Sequence, residues 1–540
     1  MSAWKNLPEQ TRREFLRRVT ILAGSAAASS ALPALAAVAN NVPQLHVVIV
    51  GAGLAGLCAA YELERSGHRV TILEADTKHV GGRTRTFRFS DGLYGEAGAM
   101  RIPTRHDITR RYIREFGLPL RKFVLSNPQG CYFLRGERQR IADAARLNRL
   151  YALRDDERGK SPDDLWSDSV VRALKSLSES EKKDLTADTL ATDRVRAYDQ
   201  QSLQQLCEAA GLSDEAIELL AVTQGAETLL SSAATEHLRE ELLEVWTQGF
   251  DEIVGGTDRL ASAFAARLRS KPRLGCEVVR MSQRSDIRRT AAVYRQRGTE
   301  QRVEGDFLLC TVPCPVLTRI IVEPELPGPK QRAIRQLNYD SSTKVLVVTK
   351  RRFWETDDGI FGGGTFTDLP TGTTYYPSDN VEARDPRVSR GPGVLLASYS
   401  WGQAARRLAS LPHQERVASV LLHLSRVHPQ LREPDIVRES ASWSWDNHPY
   451  SGGAFAWFMP GQHSSLHRHI IAPAGRIYFA GEHASLTHTW MQGALESGLR
   501  AVREMLVAAQ AYGPTIVMRA SRSPLLREIQ PRVRASREAA

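Results

Sequence analysis

The chain has 540 residues, of which 42% are hydrophobic and 25% charged, and its formal net charge is +11. This length and balance exclude a disordered or fibrous protein and allow two or three connected domains with large buried cores. The positive charge does not indicate nucleic-acid binding, because the basic stretches at 280–302 and 519–537 carry no recognised binding motif.

The first 36 residues predict a leader peptide. Twin arginines in TRREFLR, at 11–17, precede a weakly apolar run at 19–35, and the sequence Ala-Leu-Ala closes the segment. This pattern is typical of export by the twin-arginine route to the periplasm or the medium. The alternative is a membrane anchor, but the run is rich in alanine, serine and glycine and contains Pro33. We therefore expect no stable membrane insertion.

The stretch at 45–76 is typical of a strand, a glycine turn, a helix and a second strand. Gly51, Gly53 and Gly56 form a G-x-G-x-x-G motif after an apolar run, and Glu74 closes the second strand 23 residues after Gly51. Such glycines let the backbone approach a pyrophosphate at a helix N-terminus, and the acidic residue binds ribose hydroxyls. The pattern predicts a dinucleotide-binding unit.

The rest of the chain predicts that this unit is interrupted by other domains. Residues 116–250 are polar and helical in pattern, and several strand candidates follow between glycine-rich turns up to about 470. GRIYFAGEHASLTHTWMQG then forms another strand and turn before a helix. The six cysteines, which include Cys310 and Cys314, lack both metal-ligand spacing and the density of a disulfide framework, so we expect core cysteines and no metal.

One buried-looking arginine raises a question of charge. Arg101 lies in GEAGAMRIP, where almost nothing else is polar. Because a guanidinium stays protonated, a site that excludes water must supply an anion. Glu96, another side chain or a substrate are the possible partners.

Five blocks of the chain resemble the flavin monoamine oxidase superfamily and, within it, the L-amino-acid oxidases. They occur in the family's order and span about 45–508: GGRTRT (81–86), GEAGAMRIP (95–103), FDEIVGG (250–256), STKVLVVTKRRFWETDDGIFGGGTFTDLP (342–370) and YFAGEHASLTHTWMQGALESG (478–498).

The resemblance implies a mixed α/β fold. Its parts are a Rossmann-like FAD-binding domain of the two-dinucleotide-binding flavoprotein type, a mixed-sheet substrate-binding domain and an inserted helical domain. We divide the chain into a leader (1–36), three FAD-binding segments (45–115, 251–340 and 471–512), a helical domain with part of the substrate site (116–250), a substrate-binding domain (341–470) and a basic, loose tail (513–540).

The resemblance also implies FAD as the cofactor. Covalent members carry a cysteine near the second turn, and GEHASLTHTW has none, so we expect non-covalent FAD. The residues expected to bind it are Gly51, Gly53, Ala55, Gly56, Glu74, Ala75, Gly82, Arg83, Ala99, Met100, Arg101, Val278, Gly481, Glu482, Trp490 and Met491.

The implied reaction is oxidative deamination of an L-amino acid. Hydride passes from Cα to the flavin, the imino acid hydrolyses to a 2-oxo acid and ammonium, and dioxygen is reduced to hydrogen peroxide. Arg101 and Tyr399 are expected to bind the α-carboxylate, Lys344 to hold a water near the flavin, and Trp490 to form an aromatic wall. Thr489 stands where many relatives have glycine and is expected to narrow the slot.

The substrate side chain is expected to be basic, L-arginine before L-lysine. Glu240 and Glu244 are predicted to share one helix face, and Asp340 adds a third carboxylate. Ala454 is expected to lengthen the pocket and Trp401 to stack on a guanidinium. For the two glutamates, the alternative is a charged helix face with no part in substrate binding. For the activity, the alternatives are an amine or polyamine oxidase, an amino-acid 2-monooxygenase and a non-catalytic FAD-bound protein.

We expect the protein to form a homodimer.

Overall fold

The structure is a computed structural model that describes residues 43–284 and 289–510. The predicted leader at 1–36 and the predicted tail at 513–540 lie outside the described residues. No helix in the described part of the chain is both long and apolar enough to cross a membrane.

The strands within these ranges are β1 (His46–Val50), β2 (Arg69–Leu73), β3 (Thr86–Arg88), β4 (Tyr94–Glu96), β5 (Ile102–Pro103), β6 (Leu120–Phe123), β7 (Cys131–Leu134), β8 (Glu137–Arg140), β9 (Phe250–Ile253), β10 (Glu277–Arg284), β11 (Arg289–Gln296), β12 (Thr299–Gly305), β13 (Phe307–Cys310), β14 (Ile321–Glu323), β15 (Tyr339–Asp340), β16 (Ser342–Thr349), β17 (Gly364–Thr367), β18 (Thr373–Tyr375), β19 (Gly393–Trp401), β20 (Val437–Ser444), β21 (Phe455–Ala456) and β22 (Ile477–Phe479).

The α-helices are α1 (Leu54–Arg65), α2 (Asp107–Glu115), α3 (Pro162–Trp166), α4 (Arg172–Lys175), α5 (Glu179–Asp184), α6 (Asp193–Asp199), α7 (Leu203–Ala209), α8 (Asp214–Gln224), α9 (Ala234–Leu242), α10 (Asp258–Arg267), α11 (Cys314–Leu317), α12 (Gly328–Gln336), α13 (Phe353–Thr356), α14 (Pro386–Arg390), α15 (Gly402–Ala409), α16 (His413–Leu424), α17 (Arg468–Ile471) and α18 (Met491–Gln510).

A parallel four-stranded sheet, in the order β2-β1-β13-β22, forms the dinucleotide-binding layer. The central strand β1 is almost entirely apolar because strands cover both its edges and apolar clusters cover both its faces. Helices α1 and α18 pack together on one side, and a Cβ at Gly498 would lie 2.7 Å from the Ala55 carbonyl oxygen. Glycine at 498 therefore permits the close approach of the two helices that follow the glycine turns.

The helical domain begins later than the sequence predicts. Helices α3 to α9 fill 162–242, whereas 120–140 holds the strands β6, β7 and β8. Strand β6 pairs with β9, and β7 and β8 extend a large sheet. The expectation that 116–250 is helical from its start is therefore wrong. Strands β6 and β8 are short and rich in charged residues, and β7 is a short, wholly buried apolar run, so none of them shows the alternation of a half-buried strand.

The large sheet has seven strands in the order β20-β16-β19-β18-β17-β7-β8. Strand β16 is buried along its whole length and pairs with β19 in antiparallel register, so that Lys344 lies opposite Tyr399. Tyr375 ends β18, the next strand. Three polar side chains thus come from neighbouring strands of a buried sheet.

A smaller sheet, β12-β11-β10-β14, packs beside the dinucleotide-binding layer. Met281 and Ala292 of this sheet share an apolar cluster with Val48 of β1. The packing brings Val278, at the start of β10, to the same cavity as Glu74, which follows β2.

Replacing Gly56 by alanine tests the close packing of α1 on the turn. A Cβ at Gly56 would come within 2.1 Å of the Gly51 carbonyl oxygen and 3.2 Å of Ile49 Cγ2. We expect Gly56→Ala to lower the unfolding free energy by at least about 1–3 kcal/mol, the usual cost of overpacking, as measured by denaturant unfolding. Gly328→Ala is the control, because no atom lies within 4 Å of its Cβ position. Equal stability of the two variants would contradict the prediction.

Candidate active site

A continuous cavity runs from the glycine turn after β1 to the large sheet. Three of the residues expected to contact FAD or substrate do not line it: Gly56, Glu244 and Asp340. The others do: Gly51, Gly53, Ala55, Glu74, Ala75, Gly82, Arg83, Ala99, Met100, Arg101, Glu240, Val278, Lys344, Tyr399, Trp401, Ala454, Gly481, Glu482, Thr489, Trp490 and Met491.

The glycine-turn end of the cavity has the open backbone that a dinucleotide needs. A Cβ at Gly53 would meet no atom within 4 Å, and no described side chain caps α1 at this residue. The first N–H groups of the helix are therefore available to phosphate oxygens. Glu74 accepts hydrogen bonds from the backbone N–H of Ala52 at 2.7 Å and of Asp76 at 2.8 Å, and burial raises the pKa of Glu74. These residues fit a flavin dinucleotide.

An ion pair joins the GGRTRT segment after β2 to the glycine turn after β22. Arg83 Nη1 lies 3.1 Å from Glu482 Oε2, and Arg83 also donates to the Ala454 carbonyl at 3.1 Å. Glu482 accepts from the backbone N–H of Ala456 at 3.1 Å and of Thr489 at 2.6 Å. Two residues expected to contact FAD thus fix each other's position.

Arg101 is buried, with 8% of its surface exposed, and it forms no ion pair within the described residues. The carboxylate of Glu96 instead accepts from Thr86 Oγ1 at 2.8 Å and from the Thr257 N–H at 2.8 Å. The only polar side chain that Arg101 is seen to bond in this part of the chain is Tyr375, whose hydroxyl accepts from Nη1 at 3.3 Å. An internal pair with Glu96 is therefore not formed.

Aromatic rings surround the guanidinium of Arg101, and we call them the aromatic cage. Its Cζ lies 4.9 Å from the ring centre of Trp246, 5.7 Å from Tyr375, 5.8 Å from Phe250 and 6.0 Å from Trp490. Ring faces attract a cation without neutralising it. The cage therefore holds a charge that an anion can still complete.

Glu240, on α9, holds two walls of the aromatic cage. Its Oε1 accepts from Trp490 Nε1 at 2.8 Å and its Oε2 from Trp246 Nε1 at 2.7 Å. Burial raises the pKa of Glu240 to about 7. Glu240 lines the cavity and supports the two indoles, and its contact with a substrate stays a prediction.

Glu244 does not share that helix face, so this part of the sequence prediction is wrong. Helix α9 ends at Leu242, and Glu244 has a φ of +52°, in the left-handed region. Its carboxylate pairs at the surface with Arg105. The helix ends before the fourth residue after Glu240, which turns this side chain away from the cavity.

Asp340 lies next to the cavity wall instead of in the lining. Its β15 backbone pairs with Phe455, and its carboxylate accepts from the Ser341 N–H at 2.8 Å. Burial raises its pKa to about 6. This arrangement does not provide the expected direct contact between Asp340 and a substrate, because Asp340 does not line the cavity.

Lys344 uses its three N–H donors within the protein. Nζ lies 2.7 Å from the Gly98 carbonyl oxygen, 3.3 Å from that of Glu96 and 3.4 Å from Met100 Sδ, and 4.4 Å from the ring centre of Tyr399. Burial lowers the pKa of Lys344 and raises that of the Glu96 carboxyl. The lysine therefore fixes the segment that leads directly into Arg101.

A second group of rings lines the cavity beside Tyr399. The Trp401 ring centre lies 5.3 Å from Tyr399 and 5.5 Å from Phe455, which is 6.4 Å from Trp457. Phe455 and Trp457 were not predicted from the sequence, and neither were Trp246 and Tyr375 of the aromatic cage. The alternation of aromatic residues in AFAWF, directly after the glycines at 452–453, was the available signal for the first two.

Thr489 has a φ of +69°, a left-handed conformation that favours glycine. A threonine is strained there because its β-branched side chain crowds the backbone. The departure from the glycine of many relatives therefore has a backbone cost in addition to filling space in the cavity.

The model of the family described as "Flavin containing amine oxidoreductase" matches residues 54–506. YobN of Bacillus subtilis (strain 168), a candidate L-amino-acid oxidase, is 36% identical over 466 residues, which cover 85% of this chain and 94% of the relative. The chain belongs to the flavin-containing amine oxidoreductase family. The L-amino-acid oxidase of Bothrops pauloensis is 33% identical over 473 residues, covering 86% of this chain and 90% of the relative.

This flavin amine oxidoreductase also has the fold of a solved relative. Wild-type putrescine oxidase bound to putrescine matches with a TM-score of 0.67 over 86% of this chain and 99% of that chain, at 21% identity. The likeness confirms the predicted mixed α/β fold. The chain is a flavin-dependent oxidoreductase and FAD is its cofactor, which the residues at the glycine turns fit.

Proposed function

We propose that the protein is an FAD-dependent L-amino-acid oxidase. The observation that carries the proposal is Arg101, a buried cation with aromatic walls and no carboxylate partner within the described residues. The α-carboxylate of an amino acid is the natural anion, because a guanidinium presents two parallel N–H donors to it. An amine or polyamine has no such group, so a buried, uncompensated arginine would only weaken its binding.

The residues around Arg101 bind and orient the substrate. Burial raises the pKa of Tyr399, which keeps its hydroxyl protonated and able to donate to the same carboxylate. Trp490 forms a rigid wall that Glu240 holds in place. Lys344 anchors the backbone that carries Arg101, and its amine is a proton-handling group at the edge of the cavity.

The residues around Gly53 and Gly481 would hold FAD, which would supply the hydride acceptor and the route of electrons to dioxygen. The products of the proposed oxidative deamination are a 2-oxo acid, ammonium and hydrogen peroxide. An amino-acid 2-monooxygenase binds the same carboxylate and differs by an amide product.

We propose that FAD is bound non-covalently, because residues 481–491 contain no cysteine. Release of the flavin on denaturation tests this. Export through the leader and a homodimer remain proposals.

We further propose that the preferred side chain is basic, L-arginine or L-lysine. Glu240 lines the cavity, Trp401 offers a ring face, and the small side chain of Ala454 leaves length. Fewer residues support this preference than the sequence suggests, because Glu244 and Asp340 do not line the cavity. Glu240 is therefore the carboxylate on which this preference depends.

Replacing Arg101 by alanine tests the carboxylate site. We expect Arg101→Ala to retain FAD and to lose at least about 100-fold in kcat/KM for L-amino acids, since a charge-assisted bidentate contact is worth several kcal/mol. Peroxide production and flavin absorbance per protein measure the two quantities. The control is Arg105→Ala, which removes an arginine four residues away that pairs with Glu244 at the surface. Full activity of Arg101→Ala would refute the assignment.

The raised pKa of Glu240 predicts a pH-dependent preference for basic substrates. Below its pKa of about 7 the carboxyl is neutral and attracts a cation weakly; above it the carboxylate attracts the cation fully. We expect the KM for L-arginine, relative to that for L-leucine, to fall as the pH rises through this value. In Glu240→Gln, the KM for L-arginine divided by that for L-leucine should no longer depend on pH. At alkaline pH this ratio should be roughly 10- to 100-fold higher than in the wild type, because the charged contact is lost. A ratio that is unchanged by pH and by the substitution would contradict a basic preference.

A further inference from the structure

Helix α9 contacts the segment that precedes α18 at two points, one helical turn apart. Glu240 Oε1 accepts from Trp490 Nε1 at 2.8 Å, and the Glu236 carboxylate lies 3.2 Å from His488 Nδ1. Residues four apart share one face of a helix. Two glutamates of that face therefore hold two residues that flank Thr489.

The residue between these contacts is the strained one. Thr489 adopts a φ of +69° and donates its backbone N–H to Glu482 Oε1 at 2.6 Å. Three carboxylates thus hold three consecutive residues, 488 to 490. A non-glycine residue persists in a strained conformation only when its surroundings over-determine it, and these three contacts do so.

Glu236 is itself fixed as a charged group. It is 2% exposed and forms an ion pair with Arg239 Nη1 at 3.1 Å. Desolvation raises the pKa of Glu236, but the interactions with His488 and with the Arg239 guanidinium outweigh it and lower the pKa to about 2. Arg239 donates in turn to the Leu185 carbonyl at 2.7 Å and lies 3.0 Å from His463 Nδ1. A buried pair of this kind costs desolvation that an apolar core would avoid.

We propose that Glu236 is a positioning residue for the active site. Acting through His488, it fixes the turn at Thr489 and so places the Trp490 wall of the aromatic cage around Arg101. Neither Glu236 nor His488 lines the cavity. The helical domain thereby determines the geometry of carboxylate binding. The inference rests on the proposed role of Arg101.

Holoenzyme variants of the same helix test the proposal. Glu236→Gln keeps an acceptor for His488 but removes the charge. Its control is Glu241→Gln, because Glu241 accepts from Trp166 Nε1 at 3.2 Å and so holds an indole of the helical domain itself. We expect Glu236→Gln to retain FAD, to bind benzoate 10- to 100-fold more weakly and to lose a similar factor in kcat/KM, as small misplacements do. Glu241→Gln should change both by no more than about twofold. Equal losses in the two variants would overturn the proposal.

A double-mutant cycle shows whether Glu236 acts through His488. His488→Phe keeps an aromatic ring against Phe458, whose ring centre lies 4.5 Å away. We expect the double variant Glu236→Gln/His488→Phe to bind benzoate no more weakly than the single variant that binds it more weakly. The reason is that both substitutions remove the same contact, the one between Glu236 and His488. Additive losses would overturn the proposal. If Glu236→Gln yields no folded holoenzyme, Glu236→Asp replaces it in the same cycle.

Benzoate binding, read from the flavin absorbance, separates this inference from the proposed function. Binding by the wild type that Arg101→Ala abolishes supports the carboxylate site, whatever Glu236→Gln does. Unchanged binding by Glu236→Gln then overturns the positioning role alone. Failure of the wild type to bind benzoate overturns the carboxylate site and this inference with it.

Discussion

A buried arginine that is surrounded by rings instead of a carboxylate is the constraint on which the site depends. Taking a permanent cation out of water is costly unless an anion is near. Glu96 is close in sequence to Arg101, but threonine hydroxyls and a backbone N–H engage its carboxylate. The fold therefore leaves the charge of Arg101 to be completed by a molecule that enters the cavity.

The acidic residues around the cavity act mainly as supports. Glu240 binds two indoles, Glu482 pairs with Arg83, and Glu236 anchors the turn before α18. Lys344 does the same for the backbone before Arg101 through two carbonyl oxygens. The placement of the planar guanidinium and the indole matters because carboxylate binding is directional. The four supporting residues come from the helical domain, the large sheet and the dinucleotide-binding layer.

The dinucleotide-binding half was predictable because its signals are local. The glycine motif, the apolar strand before it and Glu74 lie within one βαβ unit. The register of β16 with β19 places Lys344 opposite Tyr399, which no local pattern predicts. The aromatic cage was not predictable in the same way. Arg101 and Tyr375 are 274 residues apart, and no local pattern joins them. Glu244 was misplaced because HLREELLEVWTQG has no glycine or proline to mark the helix end before residue 249.

The most direct test of the account compares each L-amino acid with the amine that differs from it only by the missing carboxylate, such as L-arginine and agmatine. Anaerobic reduction of the bound flavin, followed as loss of its visible absorbance, is measured for both members of each pair. We expect the amino acid to reduce the flavin and the amine to do so at least about 100-fold more slowly, since Arg101 is then left without its anion. Reduction of the flavin by agmatine or another amine as fast as by its parent amino acid would contradict it.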